Sequence, residues 1–487
     1  MKRRDFLGIT TAALTGQALR LRSGQALRQP LDSARDGAQS GARQEQAKPF
    51  RPPNIIFILA DDLGYGDLSC YGQTHFTTAA LDRMAAEGVR FTDHYAGSTV
   101  CAPSRCCLMT GLHTGHARIR GNADVPLEPA DTTVAEALKE GGYDTALIGK
   151  WGLGEQGTTG HPGRKGFESF FGYLNQVHAH NYYPDFLWRN AERIALDNVV
   201  VFADSGYAKG IGGAAVERRQ YSHDLFTEEA FRFIRAHQER PFFLYLAYTI
   251  PHANNESRLI GRHGMEVPDL GEFADRDWPE PQKAHAAMIC RLDRDIGRLL
   301  SLLEETGLDR DTVVFFSSDN GPHREGGADP GFFRSAGPFR GIKRDLYEGG
   351  IRVPLIVRWP GRIPGGRVSA HVSAFWDFMP TACEIATARV PHGLDGISFL
   401  PELLGHTQAQ HDVLYWEFHE NPFSDQAVRS GRWKAVRHGL AGPVELYDLS
   451  MDPGETRDIA AEQPDACGRL RPVFGSENLP NPVWKLK

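Results

Sequence analysis

Asn54-Ile55-Ile56-Phe57-Ile58-Leu59-Ala60 runs directly into Asp61-Asp62. A near-continuous apolar run of this length predicts a strand covered on both faces, as strands of a parallel sheet are. Thr145–Gly149, Phe242–Tyr248, Thr312–Ser317 and Val353–Trp359 have the same character. Between them lie helical patterns at Thr78–Glu87, Thr132–Glu140, Asp224–Gln238 and Pro281–Thr306. Gly88, Gly141 and Gly307 stand just behind three of them as stop signals. Strand–helix alternation predicts an α/β fold, with a large central mixed, mostly parallel sheet flanked by helices. Past residue 405 the pattern changes to short strands at Val413–Phe418, Ala427–Val436 and Val444–Leu449. The expected organisation is a signal over 1–28, a low-complexity linker over 29–51, a main α/β domain over 52–405 and a small antiparallel C-terminal subdomain over 406–487.

The chain has 487 residues, a net charge of -7 and 24% charged side chains. That balance, without a basic stripe, excludes a nucleic-acid binder. No apolar run reaches transmembrane length. Lys2-Arg3-Arg4-Asp5-Phe6-Leu7 ahead of a mildly apolar stretch predicts a twin-arginine export signal and a periplasmic mature protein. Gly-Gln-Ala-Leu-Arg recurs at 16–20 and 24–28, inside a segment too polar to fold on its own. Seven cysteines without regular spacing form neither a disulfide framework nor a zinc motif. Cys106 and Cys107 are expected as packed thiols.

In open α/β sheets, ligands bind beyond the carboxyl ends of the strands. Four of the expected strands lead there into reactive groups: Asp61-Asp62, Lys150-Trp151, Pro251-His252 and Asp319-Asn320-Gly321. Each has a plain local reading as a helix cap, a solvated strand end or a turn. The paired carboxylates Asp61-Asp62 and the Asp319-Asn320 pair together form an all-oxygen anionic set suited to a hard divalent cation, calcium ahead of magnesium.

Cys101-Ala102-Pro103-Ser104-Arg105 adds a nucleophile. A cysteine beside an arginine at a Pro-led helix start would ordinarily read as a low-pKa thiolate. Cys-x-Pro-x-Arg is also the pentapeptide that directs conversion of cysteine to formylglycine. With the acids, and with Gly341-Ile342-Lys343, Glu348-Gly349-Gly350 and the run Val353–Trp359 in order, most of residues 52–450 resembles the type I sulfatases of the alkaline-phosphatase superfamily. The resemblance implies a sulfuric-ester hydrolase with Asp61, Asp62, Asp319, Asn320 and the modified Cys101 as calcium ligands. It implies that Arg105 holds the formylglycine hydrate, that Lys150 and Lys343 bind sulfate oxygens, and that His252, together with Lys343, protonates the leaving alcohol. A formylglycine-generating enzyme is then a required partner. One position departs from the family's Lys-Trp-His-Leu-Gly: here Gly152 follows Lys150-Trp151. His113, His116, His161, His178 and His180 are candidates to replace the missing imidazole.

Gly172 to Pro184 and Trp188 are dense in aromatic and amide side chains, and His178 and His180 there are expected to contact a sugar. His323-Arg324 adds candidate anion or sugar contacts. Tyr415-Trp416-Glu417 and His419 are expected to pack within the C-terminal strands. Sulfated carbohydrate is the expected substrate. Two further readings stay open: a phosphonate or phosphodiester hydrolase of the same superfamily, and a sulfated-glycan binding protein without turnover.

Overall fold

The computed structural model describes residues 51–487. The 1–28 signal and the 29–51 linker, apart from Arg51, lie outside the described residues. The Asn54–Ala60 strand sits near the middle of a ten-stranded sheet. It pairs in parallel with Thr312–Ser318 on one side and Phe242–Ala247 on the other. Asp144–Lys150 and then Ser169–Tyr173 continue the parallel block. Both flanks turn antiparallel, through Leu355–Arg358 on one side and Phe186–Arg189 on the other.

The absence of alternation in Asn54–Ala60 has a direct cause. Ile55, Phe57 and Leu59 face one core layer, with the helices Cys101–Thr110, Val134–Glu140 and Phe378–Ala386. Ile56, Ile58 and Ala60 face the other, with Ala79–Ala86, Ser222–Ala236 and Glu280–Glu305. Helices therefore cover both faces, and every residue of the strand is buried.

A second sheet of four antiparallel strands, Leu414–Phe418, Asp425–Ser430, Trp433–His438 and Val444–Asp448, lies near the C-terminus. The expected single strand Ala427–Val436 is two strands. Gly431, at φ +55°, turns the chain between the paired residues Ser430 and Trp433. Val353–Trp359 shrinks to Leu355–Arg358. Strands at Ser169–Tyr173, Phe186–Arg189 and Glu192–Ala195 carried no sequence signal strong enough to single out. All seven cysteines are unpaired, and Cys106 and Cys107 are packed inside their helix as expected. No described helix is long and apolar enough to cross a membrane.

Candidate active site

The four strands whose ends carry reactive groups are neighbours in the sheet, in the order Thr312–Ser318, Asn54–Ala60, Phe242–Ala247, Asp144–Lys150. Parallel direction puts their carboxyl ends on one edge. Asp319-Asn320, Asp61-Asp62, His252 and Lys150 therefore converge there from segments far apart in sequence. The Cys101–Thr110 helix supplies two more groups. Cys101 and Arg105 are four residues apart, so one helix face presents both. The N–H of Ala102 is accepted by Asn122 Oδ1 at 3.0 Å, and Pro103 has no N–H to satisfy in the first turn.

Asp61 is the hub. Its Oδ2 takes Lys150 Nζ at 2.7 Å and Arg105 Nη2 at 3.3 Å, and its Oδ1 lies 3.2 Å from Cys101 Sγ. Arg105 also donates from Nη2 and Nε to Asp319 Oδ2, at 2.8 and 3.1 Å, and from Nη1 to the Lys150 carbonyl at 2.9 Å. Asp62 Oδ2 takes Lys343 Nζ at 2.8 Å, and its Oδ1 takes Asn320 Nδ2 at 2.6 Å. Lys343 Nζ lies 3.2 Å from His252 Nε2 and 3.4 Å from Glu325 Oε2. His252 Nδ1 is 2.6 Å from the Ala253 carbonyl, an arrangement that places its proton there and makes Nε2 an acceptor from Lys343.

Two backbone features hold the acids. Asp62 adopts φ +64°, a left-handed conformation uncommon outside glycine, and its N–H donates to Asp319 Oδ1 at 3.0 Å. At Gly321 a Cβ would lie 1.9 Å from the Gly349 carbonyl oxygen, so only glycine lets the Asp319-Asn320 turn pass this close.

The electrostatics follow from burial. Burial pushes the carboxyl of Asp61 up, but Lys150 and Arg105 outweigh it and hold it well below the usual carboxylate range. Asp62 is likewise lowered, because Lys343 outweighs its burial. Asp319 goes the other way, to about 7, because burial and the Asp61 charge prevail over Arg105. Burial, with Lys343 adding to it, keeps His252 neutral. Burial and Asp61 also push the Cys101 thiol well above its ordinary value, so the low-pKa thiolate reading is corrected: the helix start does not compensate for a dry, acidic setting.

The same residues fit a divalent cation. Asn320 Oδ1 is buried without a hydrogen-bond partner. Asp61, Asp62, Cys101 and His252 each present an atom within 4.8 Å of the others. His252 Nε2 is already engaged by Lys343, so the free lone pairs of the group are chiefly oxygens, which hard cations select.

The floor opens into a cleft of about 550 Å³ lined by Cys101, Lys150, His252 and Lys343, and above them by Asn122, Asp124, Gln176, His180, Tyr207 and Arg344 among others.

A family model described as Sulfatase matches residues 53–388, and one described as N-sulphoglucosamine sulphohydrolase, C-terminal, matches 340–467. The chain belongs to the sulfatase family. Steryl-sulfatase from Mus musculus is 32% identical over 87% of this chain and 80% of its own length. N-acetylgalactosamine-6-O-sulfatase from Bacteroides thetaiotaomicron is 29% identical over 90% of this chain and 96% of its own. The crystal structure of Ps i-CgsB in complex with k-i-k-neocarrahexaose aligns with a TM-score of 0.75 at 26% identity, over 90% of this chain and 95% of that one. The chain is thus a sulfuric-ester hydrolase of alkaline-phosphatase-like architecture, a family whose members bind a metal.

Against the sulfatase pattern, the substrate side differs most from expectation. His180 reaches the cleft, with Nδ1 on Glu256 Oε2 at 3.0 Å and its ring stacked on His252 at 4.8 Å. His178 does not: its ring packs on Phe186 and Tyr173. Tyr173, Tyr182, Tyr183 and Trp188 are buried packing rather than a sugar platform. His323 lies behind His252, with Nε2 3.2 Å from the Pro251 carbonyl, and Arg324 is exposed outside the cleft lining. Of the replacement histidines, His113 and His116 pair with Asp395 and Glu477, and His161 accepts from Gly163 N–H; none of the three lines the cleft. Tyr415, Trp416, Glu417 and His419 are buried in the C-terminal sheet or beside it, as expected. Sequence reasoning missed Glu325, Arg344, Tyr207 and Glu420. Only Glu325 had a usable signal, as a carboxylate six residues beyond Asp319.

Proposed function

We propose that this sulfatase hydrolyses sulfate esters of a carbohydrate, with calcium held by Asp61, Asp62, Asp319, Asn320 and residue 101, and with Cys101 converted to formylglycine. Magnesium is the second choice of cation. The observation that carries the cation is the buried, unpartnered Asn320 Oδ1 among paired carboxylates. The sequence Cys101 to Arg105, placed at the helix end above them, carries the modification.

Calcium there would neutralise sulfate oxygens, and a formylglycine hydrate at 101 would offer one hydroxyl for attack on sulfur and a second to release sulfate. The chain's own residues do the rest. Arg105, fixed by Asp319 and the Lys150 carbonyl, orients residue 101. Asp319, held by Arg105 and by the Asp62 N–H, is assigned as the base for residue 101. Lys150 and Lys343 are preorganised cations for the sulfuryl oxygens. His252 and Lys343 act as the acid pair: His252 Nε2 lies 3.2 Å from Lys343 Nζ, so the proton for the leaving alcohol starts on Lys343 Nζ and reaches the alcohol directly or through His252.

The cleft offers a sugar hydrogen-bonding partners in Asn122, Asp124, Glu325, Arg344 and Glu420. Tyr207, 73% exposed at its rim, is the aromatic face available for stacking. The twin-arginine reading of Lys2 to Leu7 supports export to the periplasm, and the 52–405 and 406–487 partition remains part of the proposal. A formylglycine-generating enzyme would act on the chain before it folds, because Cys101 is buried in the finished structure.

The test is the mass of the tryptic peptide Phe91–Arg105 from a host that makes the modifying enzyme, followed by a screen of sulfated sugars and phosphodiesters. An aldehyde at 101 with sulfate release supports the proposal. An unmodified thiol without sulfate release leaves the glycan-binding reading, and turnover of phosphodiesters alone selects the other hydrolase.

A further inference from the structure

Gly152 and Gln176 fit together in an unusual way. Gly152 has φ +77°, and a Cβ built on it would lie 2.2 Å from Gln176 Nε2 and 2.6 Å from Gln176 Cδ. The Gln176 amide thus occupies the volume that any side chain at 152 would fill, two residues beyond Lys150. Its Nε2 is buried and has no hydrogen-bond partner. An amide donor left unpaired away from water is costly, and such groups in a native fold call for a missing acceptor.

The turn that carries this donor is held in place. Asn175 Oδ1 accepts the N–H groups of Val177 and His178, at 2.7 and 3.1 Å, and Asn175 Nδ2 donates to Glu155 Oε1 at 2.8 Å. The turn bearing Gln176 is therefore pinned on both sides. Gln176 lines the cleft that holds Cys101, Lys150, His252 and Lys343, and it also forms the wall shared with a side pocket of about 50 Å³ against Gly152.

We propose that Gln176 is a substrate-contacting residue whose Nε2 donates a hydrogen bond to an oxygen of the bound sulfate ester, and that Gly152 is the position that makes room for it. This rests on the sulfate-ester reading of the same cleft. A neutral amide donor can hold an anionic or hydroxyl oxygen but cannot take its proton. Gln176 is therefore assigned to binding and orientation and not to proton transfer.

The test uses the modified, calcium-loaded enzyme and a sulfated sugar that the wild type turns over. Gln176→Leu keeps most of the volume and removes the donor. Gln176→Asn keeps the amide and shortens its reach. Both are expected to lower kcat/KM by about ten- to hundredfold, the usual effect of losing one hydrogen bond to a charged or oriented oxygen, with the melting temperature of the Asn variant unchanged. A structural role would lower the melting temperature and leave KM and kcat of the folded fraction alone. Inhibition by inorganic sulfate identifies the oxygen. If it weakens in parallel with kcat/KM, the contact is to the sulfuryl group; if it is unchanged, the contact is to the sugar. Values of kcat/KM within about twofold of wild type for both variants overturn the inference. A wild type inactive on every sulfate ester overturns the functional reading instead.

Discussion

Two of the buried charge networks among the described residues have opposite fates. One is the cleft floor of Asp61, Asp62, Arg105, Lys150, Asp319, Asn320 and Lys343. The other joins the main sheet's domain to the C-terminal sheet. There Lys434 Nζ meets Glu348 Oε1 at 2.9 Å and Glu455 Oε1 at 2.8 Å, while Arg352 Nη1 and Tyr95 Oη hold Glu348 Oε2 at 3.1 and 2.6 Å. Glu348, Lys434 and Glu455 are as inaccessible as Asp61 and Asp319. Both networks shift carboxyl pKa values strongly in both directions: Asp61 down and Asp319 to about 7 in one, Glu348 to about 2 and Glu455 to about 7 in the other. Perturbed acids alone would mark both as sites. What separates them is access. Each leaves one buried oxygen without a hydrogen bond, Asn320 Oδ1 in the first and Glu455 Oε1 in the second, where Lys434 Nζ balances it as an ion pair at 2.8 Å. Only the first opens, through Cys101, Lys150, His252 and Lys343, to a cleft.

That contrast can be broken by mutation. Cys101→Ala should lower sulfate-ester turnover by at least about 10⁴-fold with little change in melting temperature, because it removes the nucleophile and leaves the charge pairs in place. Lys434→Met should do the reverse. It strands two buried carboxylates and should cost roughly 3–5 kcal/mol in denaturant unfolding, while the folded fraction keeps its kcat. Asn320→Leu should weaken calcium binding by about 10–100-fold, visible as loss of the calcium-induced rise in melting temperature. A calcium-dependent rise that survives intact would remove Asn320 from the cation site.

The smallest effect is one of pH. Burial holds Glu455 at about 7, above its usual 4.5, with Lys434 opposing. The folded protein therefore binds a proton that the unfolded chain has released. This group's contribution to stability is complete below about 4.5 and is lost as pH rises toward 7. Glu455→Gln should flatten that fall, changing the slope of melting temperature between pH 5 and 7 by about 2 °C overall. Glu348, lowered to about 2 with Lys434 and Arg352 outweighing burial, works the other way and loses its contribution only as pH falls below about 4.5.

The central strands were legible because each is covered on both faces and so shows an uninterrupted apolar run. Asn54–Ala60 appears at its expected bounds, and Thr145–Gly149 and Phe242–Tyr248 within a residue at each end. Edge strands such as Glu192–Ala195 are largely exposed, so composition does not distinguish them from loop. Ala427–Val436 misled because its turn is only Gly431-Arg432, too short to interrupt the pattern. The floor of the site was legible because its residues end those same strands. The walls were not. His178 and His180 are two residues apart in one short helical turn, yet one faces Phe186 and the other the cleft. Tyr207 and Glu420 come from segments that carry no motif.

The sequence by itself determined the chemistry: which residues are acids, which cysteine sits in a modification pentapeptide, and that four strands deliver reactive groups to one sheet edge. Those are properties of residue type and of local periodicity, written directly in the chain. Tertiary structure alone decided which groups are paired and which are left waiting. It gave His252 a lysine at its Nε2, raised the Cys101 thiol by burying it beside Asp61, closed Glu348 into a structural knot and laid Gln176 over Gly152. Pairing, desolvation and free volume depend on neighbours tens to hundreds of residues away, and no local pattern records them.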